Sequence, residues 1–190
     1  YSGIGGNRKL WGNNHEVTAI EYNEEIAMIY KDCFPNDEVI VADAHDYLLK
    51  NYMNFDFIWS SPPCPTHSRM RYTCTKQEQK TRGKLDVKYV EMTLYQEIIL
   101  LDKYFEGQWV VENVKPYYKA LIEYQNIGRH VFWANFKIDY MEEPKFKDFI
   151  NRQNLEGKKA LMEWLGIYYE ENIYYAGNHC PAQVLRNCVH

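Results

Sequence analysis

No apolar run in the chain reaches the ~20 residues that span a bilayer. No charged-then-apolar leader opens it either. Tyr1 already lies inside a glycine-rich motif, so a first strand is expected to precede it. Cysteine is sparse and odd in number: Cys33, Cys64, Cys74, Cys180 and Cys188. That count, without regular spacing, argues against a disulfide framework and for a reducing, cytoplasmic setting. There is no CxxC pair. His179, Cys180, Cys188 and His190 have ligating side chains, but the gap between the cysteines is too long for a usual zinc spacing, and no metal site is expected. Internal repeats and low-complexity tracts are absent. So is an overall positive charge, the net value being −4.

What is present points to a packed enzyme-sized domain. The 190 residues are 46% hydrophobic and 16% aromatic, enough for one core with a small appendage. The charge is unevenly spread. From residue 69 to 88, seven basic residues (Arg69, Arg71, Lys76, Lys80, Arg82, Lys84, Lys88) face only Glu78 and Asp86. That segment carries +5, which leaves −9 for the remainder. It is either a solvated charged loop or a phosphate-binding one.

The basic segment follows Ser60-Ser61-Pro62-Pro63-Cys64-Pro65-Thr66-His67-Ser68. Before that comes Phe55-Asp56-Phe57-Ile58-Trp59, a run that reads as a buried strand. Proline lacks an N–H and fixes φ, so the two prolines end the strand. Cys64 is thereby presented on a stiff loop at a strand's C-terminal end, the edge where open α/β sheets bind ligands.

Other segments supply the same edge. Ser2-Gly3-Ile4-Gly5-Gly6-Asn7 is a glycine-rich turn whose residues permit close backbone approach. Thr18-Ala19-Ile20-Glu21 reads as a strand tipped by Glu21, which is either an exposed acid or an acceptor for ribose hydroxyls. Asn23 is a suitable N-cap for a helix with Ile26, Ile29, Tyr30 and Cys33 on one face, placing Cys33 in the core. Pro35-Asn36-Asp37 ends that helix. Glu38 to Ala42 reads as a strand ending at Asp43, which either accepts from an adenine amino group or caps the helix around Tyr47, Leu48 and Leu49. A helix is predicted over 85–104 and a strand over 108–113, with Glu112 at its tip. Pro116 suits the first turn of a following helix, and 128–136 looks like another strand. The alternation predicts a doubly wound, mostly parallel α/β sheet. A short helix over 156–165 and a last helix over 181–189 complete the reading.

Pro62-Pro63-Cys64 after a short strand, with Val111-Glu112-Asn113-Val114 downstream, resembles the cytosine-5 DNA methyltransferase family. Tyr1 to Gly6 is similar to that family's opening cofactor loop, and Gly177-Asn178 with Pro181 to its closing motif. The resemblance covers residues 1 to about 136 and about 174 to 190. It implies a Rossmann-like methyltransferase domain over 1–138, a small target-recognition region over 139–173, and a C-terminal helix over 174–190 that returns to the domain. It implies S-adenosyl-L-methionine as cofactor, held by Tyr1, Ser2, Gly3, Gly5, Gly6, Glu21, Tyr22, Asp43, Ala44, Pro63 and Asn178. Cys64 would be the nucleophile, with Glu112 and Arg129 acting on the base. Ser68, Arg69, Arg71, Lys76, Lys80, Arg82 and Lys84 would contact double-stranded DNA, and the expected setting is an intracellular bacterial or phage protein, with a restriction endonuclease or specificity subunit as companion and no membrane partner.

Two departures stand out. The family has a Gln-x-Arg-x-Arg motif, of which this chain keeps Arg129 followed by His130. Pro65 stands where the family often has Gln. Rival readings are an adenine amino-methyltransferase, which would need an aromatic residue where Cys64 stands; a Cys64–His67 hydrolase; a non-catalytic subunit that binds DNA or cofactor; and a methyltransferase acting on RNA.

Overall fold

The structure is a computed structural model that describes residues 1–68, 89–128 and 130–139. The chain divides into two compact units, one holding Ser2–Asp43 and the other Tyr1 with Ala44–Glu142.

In the first unit, β1 (Thr18–Glu21) pairs in parallel with β2 (Glu38–Val41), Thr18 opposite Glu38 and Glu21 opposite Val41. Between them runs α1 (Glu24–Cys33). The Asn23 side chain accepts from the Ile26 N–H, and Glu24 and Glu25 occupy the first turn, where the helix dipole favours acids. Ala27 and Tyr30 are its buried residues, while Cys33 is only partly covered. Asp37 is more than a turn residue. It is buried, accepts two bonds from Arg8 at 2.7 and 3.0 Å, and accepts the Tyr30 hydroxyl at 2.8 Å. Hydrogen bonding to Asp37 holds the Arg8 guanidinium above its ordinary pKa, against its burial.

The second unit holds α2 (Ala44–Asn51), β3 (Phe57–Ser60), α3 (Thr93–Tyr104), β4 (Gln108–Val114), β5 (Gln125–Ile127) and β6 (His130–Ala134). Its sheet has the order β3-β4-β6-β5. β3 and β4 are parallel, with Ser60 opposite Val111, and α3 lies in the connection between them. β6 runs antiparallel to β4, with Glu112 opposite Phe132 and Val114 opposite His130. The core joins Ile58, Trp109, Val111, Val131 and Trp133 of the sheet to Leu94, Tyr95, Ile98 and Leu101 of α3.

The result is an α/β fold with a mixed sheet, which corrects the expected doubly wound, mostly parallel one. The cause lies after β4. No helix forms at Pro116. Instead Pro116 bridges Ser68, the Tyr117 N–H donates to the His67 carbonyl, and the Leu121 N–H donates to the Tyr95 hydroxyl. With no helical crossover, β6 returns antiparallel, since a parallel neighbour would need one. Gly128 is not part of a strand. Its φ of +58° belongs to the turn that leaves β5 for β6, where glycine is favoured. Of the helix predicted over 85–104, residues 85–88 lie outside the described residues, and the described part is helical from Thr93, whose N–H and hydroxyl both donate to the Glu91 carboxylate. Among the described residues, no helix is long and apolar enough to cross a membrane.

Candidate active site

The second unit carries the cysteine loop. β3 delivers the chain to Ser61, Pro62, Pro63 and Cys64 beside the C-terminal half of β4, because Ser60 and Val111 are in register. The buried Asn113 amide donates to the Pro62 carbonyl at 2.9 Å, tying the loop to β4. The Cys64 carbonyl accepts from the N–H groups of His67 and Ser68, closing a tight turn. Thr66 and Ser68 extend the anchorage, to the Glu91 N–H and to Pro116.

His67 is 1% exposed. Its Nδ1 bonds the Tyr118 hydroxyl, and its ring meets Tyr95 and Tyr118 edge-on or tilted. Burial lowers its pKa, so it is a neutral ring packed among tyrosines. It anchors the loop.

The Cys64 thiol is partly buried, and that burial pushes its pKa up. The Glu112 carboxylate is near enough to push it further in the same direction. Glu112 is itself 8% exposed, and burial raises its carboxyl, opposed by a hydrogen bond from Ser61. The Ser61 hydroxyl also accepts from the Trp59 indole at 3.0 Å. His130 Nε2 lies 3.8 Å from Glu112 Oε1. The fold thus brings Cys64 and Glu112 together, with His130 beside the carboxylate. Pro63 lies exposed on this loop, and Ala44 opens α2.

The first unit carries the glycine turn. The Ser2 N–H donates to the Ile20 carbonyl at 2.9 Å, and the Gly5 N–H to the Ser2 carbonyl. Gly3 and Gly5 have φ of 55° and 84°. A Cβ on Gly5 would fall 2.3 Å from the Phe34 ring, whereas one on Gly3 would meet nothing within 4 Å. Gly5 therefore serves packing, and Gly3 presents bare backbone. The Glu21 carboxylate accepts from the Gly3 N–H at 2.9 Å and the Asn23 N–H at 3.1 Å, bracing the turn against the end of β1. Ser2 Oγ is buried with no hydrogen-bond partner. An unpaired buried hydroxyl beside open backbone suits a polar ligand such as a nucleoside. Gly6 continues the turn, Tyr22 is exposed after β1, and Asp43 is exposed immediately before α2, the position of an N-cap. Tyr1 belongs to the second unit, where its hydroxyl donates to Glu97.

Arg69, Arg71, Lys76, Lys80, Arg82, Lys84, Arg129 and Asn178 lie outside the described residues, as do the four C-terminal His and Cys residues, the expected recognition region beyond residue 139 and the closing helix. Among the described residues no cluster of His, Cys, Asp and Glu could hold a metal ion. Sequence reading gave no role to His130, Arg8 with Asp37, or Glu97, and took Asn113 only as part of the Glu-Asn-Val motif. Glu97 left a signal, a carboxylate in the apolar stripe of Leu94, Ile98 and Leu101.

A family model described as C-5 cytosine-specific DNA methylase matches residues 1–116. No curated protein matches the chain. Among solved structures, it is similar to Spodoptera frugiperda DNMT2, an E260A/E261A/K263A mutant. Identity there is 29%, over 60% of this chain and 34% of that one, with a TM-score of 0.39. It is also similar to the Entamoeba histolytica methyltransferase EhMeth, at 18% identity over 60% of this chain and 36% of that one, with a TM-score of 0.36. The chain spans about a third of the length of these two proteins. The family match covers well over half of the sequence and includes the cysteine loop, Glu112 and the glycine turn. The chain belongs to the C-5 cytosine-specific DNA methylase family, whose methyl donor is S-adenosyl-L-methionine.

Proposed function

We propose that this chain is a DNA (cytosine-5) methyltransferase working through a covalent Cys64 adduct. The observation that supports it most is the placement of Cys64 on a pinned proline loop within electrostatic reach of the buried Glu112. Carbon 5 of cytosine is a weak nucleophile. Addition of the Cys64 thiolate to carbon 6 makes it an enamine. The buried Glu112 carboxyl is suited to hydrogen-bond the ring at N3 and the exocyclic amine as charge develops. When bound, S-adenosyl-L-methionine supplies an electrophilic methyl group; Ser2, Gly3 and Glu21 are the residues of the glycine-turn unit fitted to hold it. Loss of the carbon-5 proton and elimination of Cys64 restore the ring and the thiol.

The substrate is double-stranded DNA, with the target base flipped out of the stack. The +5 segment over 69–88 is the phosphate-contacting stretch, and Arg129 is a further contact to the base. The setting is cytoplasmic, with a restriction endonuclease or specificity subunit as a companion. The experiment is trapping on DNA carrying 5-fluorocytosine, where the fluorine blocks elimination. A denaturation-resistant complex with wild type and none with Cys64→Ala supports the reading. Label from the methyl donor appearing only in RNA would reassign the substrate, and no label in either would make the chain a binding subunit.

A further inference from the structure

Glu97 sits mid-way along α3 with 0% exposure. Burying a carboxyl group in an apolar helix face is unfavourable unless its oxygens find partners, so an aliphatic residue would serve packing better. Its oxygens are fully engaged instead. Oε1 accepts the Tyr1 hydroxyl at 3.0 Å and faces His45 Nδ1 at 3.0 Å, and Oε2 accepts the Ser60 hydroxyl. Three segments far apart in sequence end on one side chain. Tyr1 directly precedes Ser2 and Gly3, His45 stands two residues past Asp43, and Ser60 is the last residue of β3, four before Cys64.

We propose that Glu97 is a positioning residue for methyl transfer. Through Ser60 it fixes the root of the nucleophile loop, and through Tyr1 and His45 it fixes the chain adjoining the cofactor-contacting stretches. The inference rests on the function proposed above. It also accounts for a buried polar group that packing alone disfavours.

The test uses the full chain with Glu97→Gln, Ser60→Ala and the double variant. Calorimetry without nucleic acid gives S-adenosyl-L-methionine affinity. The rate of adduct formation on 5-fluorocytosine DNA at saturating cofactor reports the nucleophile loop, and thermal melting reports the fold. Glu97→Gln is expected to melt cooperatively while losing about tenfold in affinity and about tenfold in rate. Ser60→Ala is expected to lower the rate with affinity at the wild-type value, and the double variant to be no slower than Glu97→Gln. A merely structural role would lower the melting temperature without this division. Cooperatively folded Glu97→Gln with unchanged affinity and rate would overturn the proposal, as would rate losses that multiply in the double variant. Should Glu97→Gln not fold, His45→Gln decides: affinity weakened about fivefold supports the hub, and unchanged affinity overturns it. Wild type that forms no adduct would sink the proposed function alone, because the calorimetric measurements would still decide the hold of Glu97 on the cofactor side.

Discussion

Cys64 is a thiol in surroundings that disfavour its reactive form. Partial burial raises its pKa, and the neighbouring Glu112 carboxylate raises it further. Only the thiolate adds to carbon 6, so both effects act against the reactive form. The sign follows. A raised thiol pKa means that the thiolate fraction, and with it adduct formation, climbs as pH rises from about 7 to about 9. Adduct formation on 5-fluorocytosine DNA measured across that range should increase; a flat profile would mean that substrate binding, not the free protein's thiol, sets the reactive state. Cys64→Ser should lose at least about a thousandfold in methyl transfer while keeping S-adenosyl-L-methionine binding in calorimetry, because the serine hydroxyl is a far poorer nucleophile. At this scale Cys64 and Glu112 were legible as residue types in recognisable settings. Their raised pKa values were not, because burial of both groups and the nearness of the Glu112 charge to Cys64 depend on which strands lie side by side.

Elements decide how rigidly those groups are held. The Asn113 amide bonded to the Pro62 carbonyl pins the cysteine loop to β4. Asn113→Leu leaves that carbonyl unpaired, so it should cost about 1–3 kcal/mol in denaturant unfolding and slow adduct formation. Wild-type stability and rate would show that the loop is held by its prolines and His67 instead. Gly5→Ala meets two obstacles, a φ of 84° and the Phe34 ring 2.3 Å from the new Cβ. It should lower the melting temperature and weaken cofactor affinity; Gly3→Ala, equally left-handed but facing open space, should disturb stability less. The glycine turn, α1, and the strands β1 to β4 were legible because their periodicity and capping are local. The helix expected at Pro116 was not formed, because Ser68, His67 and Tyr95 take up the hydrogen bonds of that segment. Nothing within residues 116–121 announces those distant partners.

For the whole molecule, charge is the property that bears on the substrate. A +5 segment set against −9 elsewhere predicts binding confined to one stretch and strongly dependent on salt. Lys76→Glu, Lys80→Glu and Lys84→Glu together should reduce DNA affinity by about tenfold or more and flatten its salt dependence, with S-adenosyl-L-methionine affinity as in wild type. An unchanged salt slope would move the phosphate contacts elsewhere. Stability has its own anchor in the buried Arg8–Asp37 pair. Arg8→Met strands the Asp37 carboxylate and should cost about 3–5 kcal/mol by denaturant unfolding.

By itself the sequence determined the reacting groups and the order in which they arrive: a glycine turn, acids at the ends of strands, a cysteine after paired prolines, and a glutamate before asparagine. Those depend on residue chemistry and short-range backbone preference, which are written locally. Only the tertiary structure decided that β6 runs antiparallel, that Asn113 and His67 lock the cysteine loop, and that Tyr1, His45 and Ser60 converge on Glu97. Each joins residues well separated along the chain, and such pairings form only when the folded chain buries polar groups that must find partners.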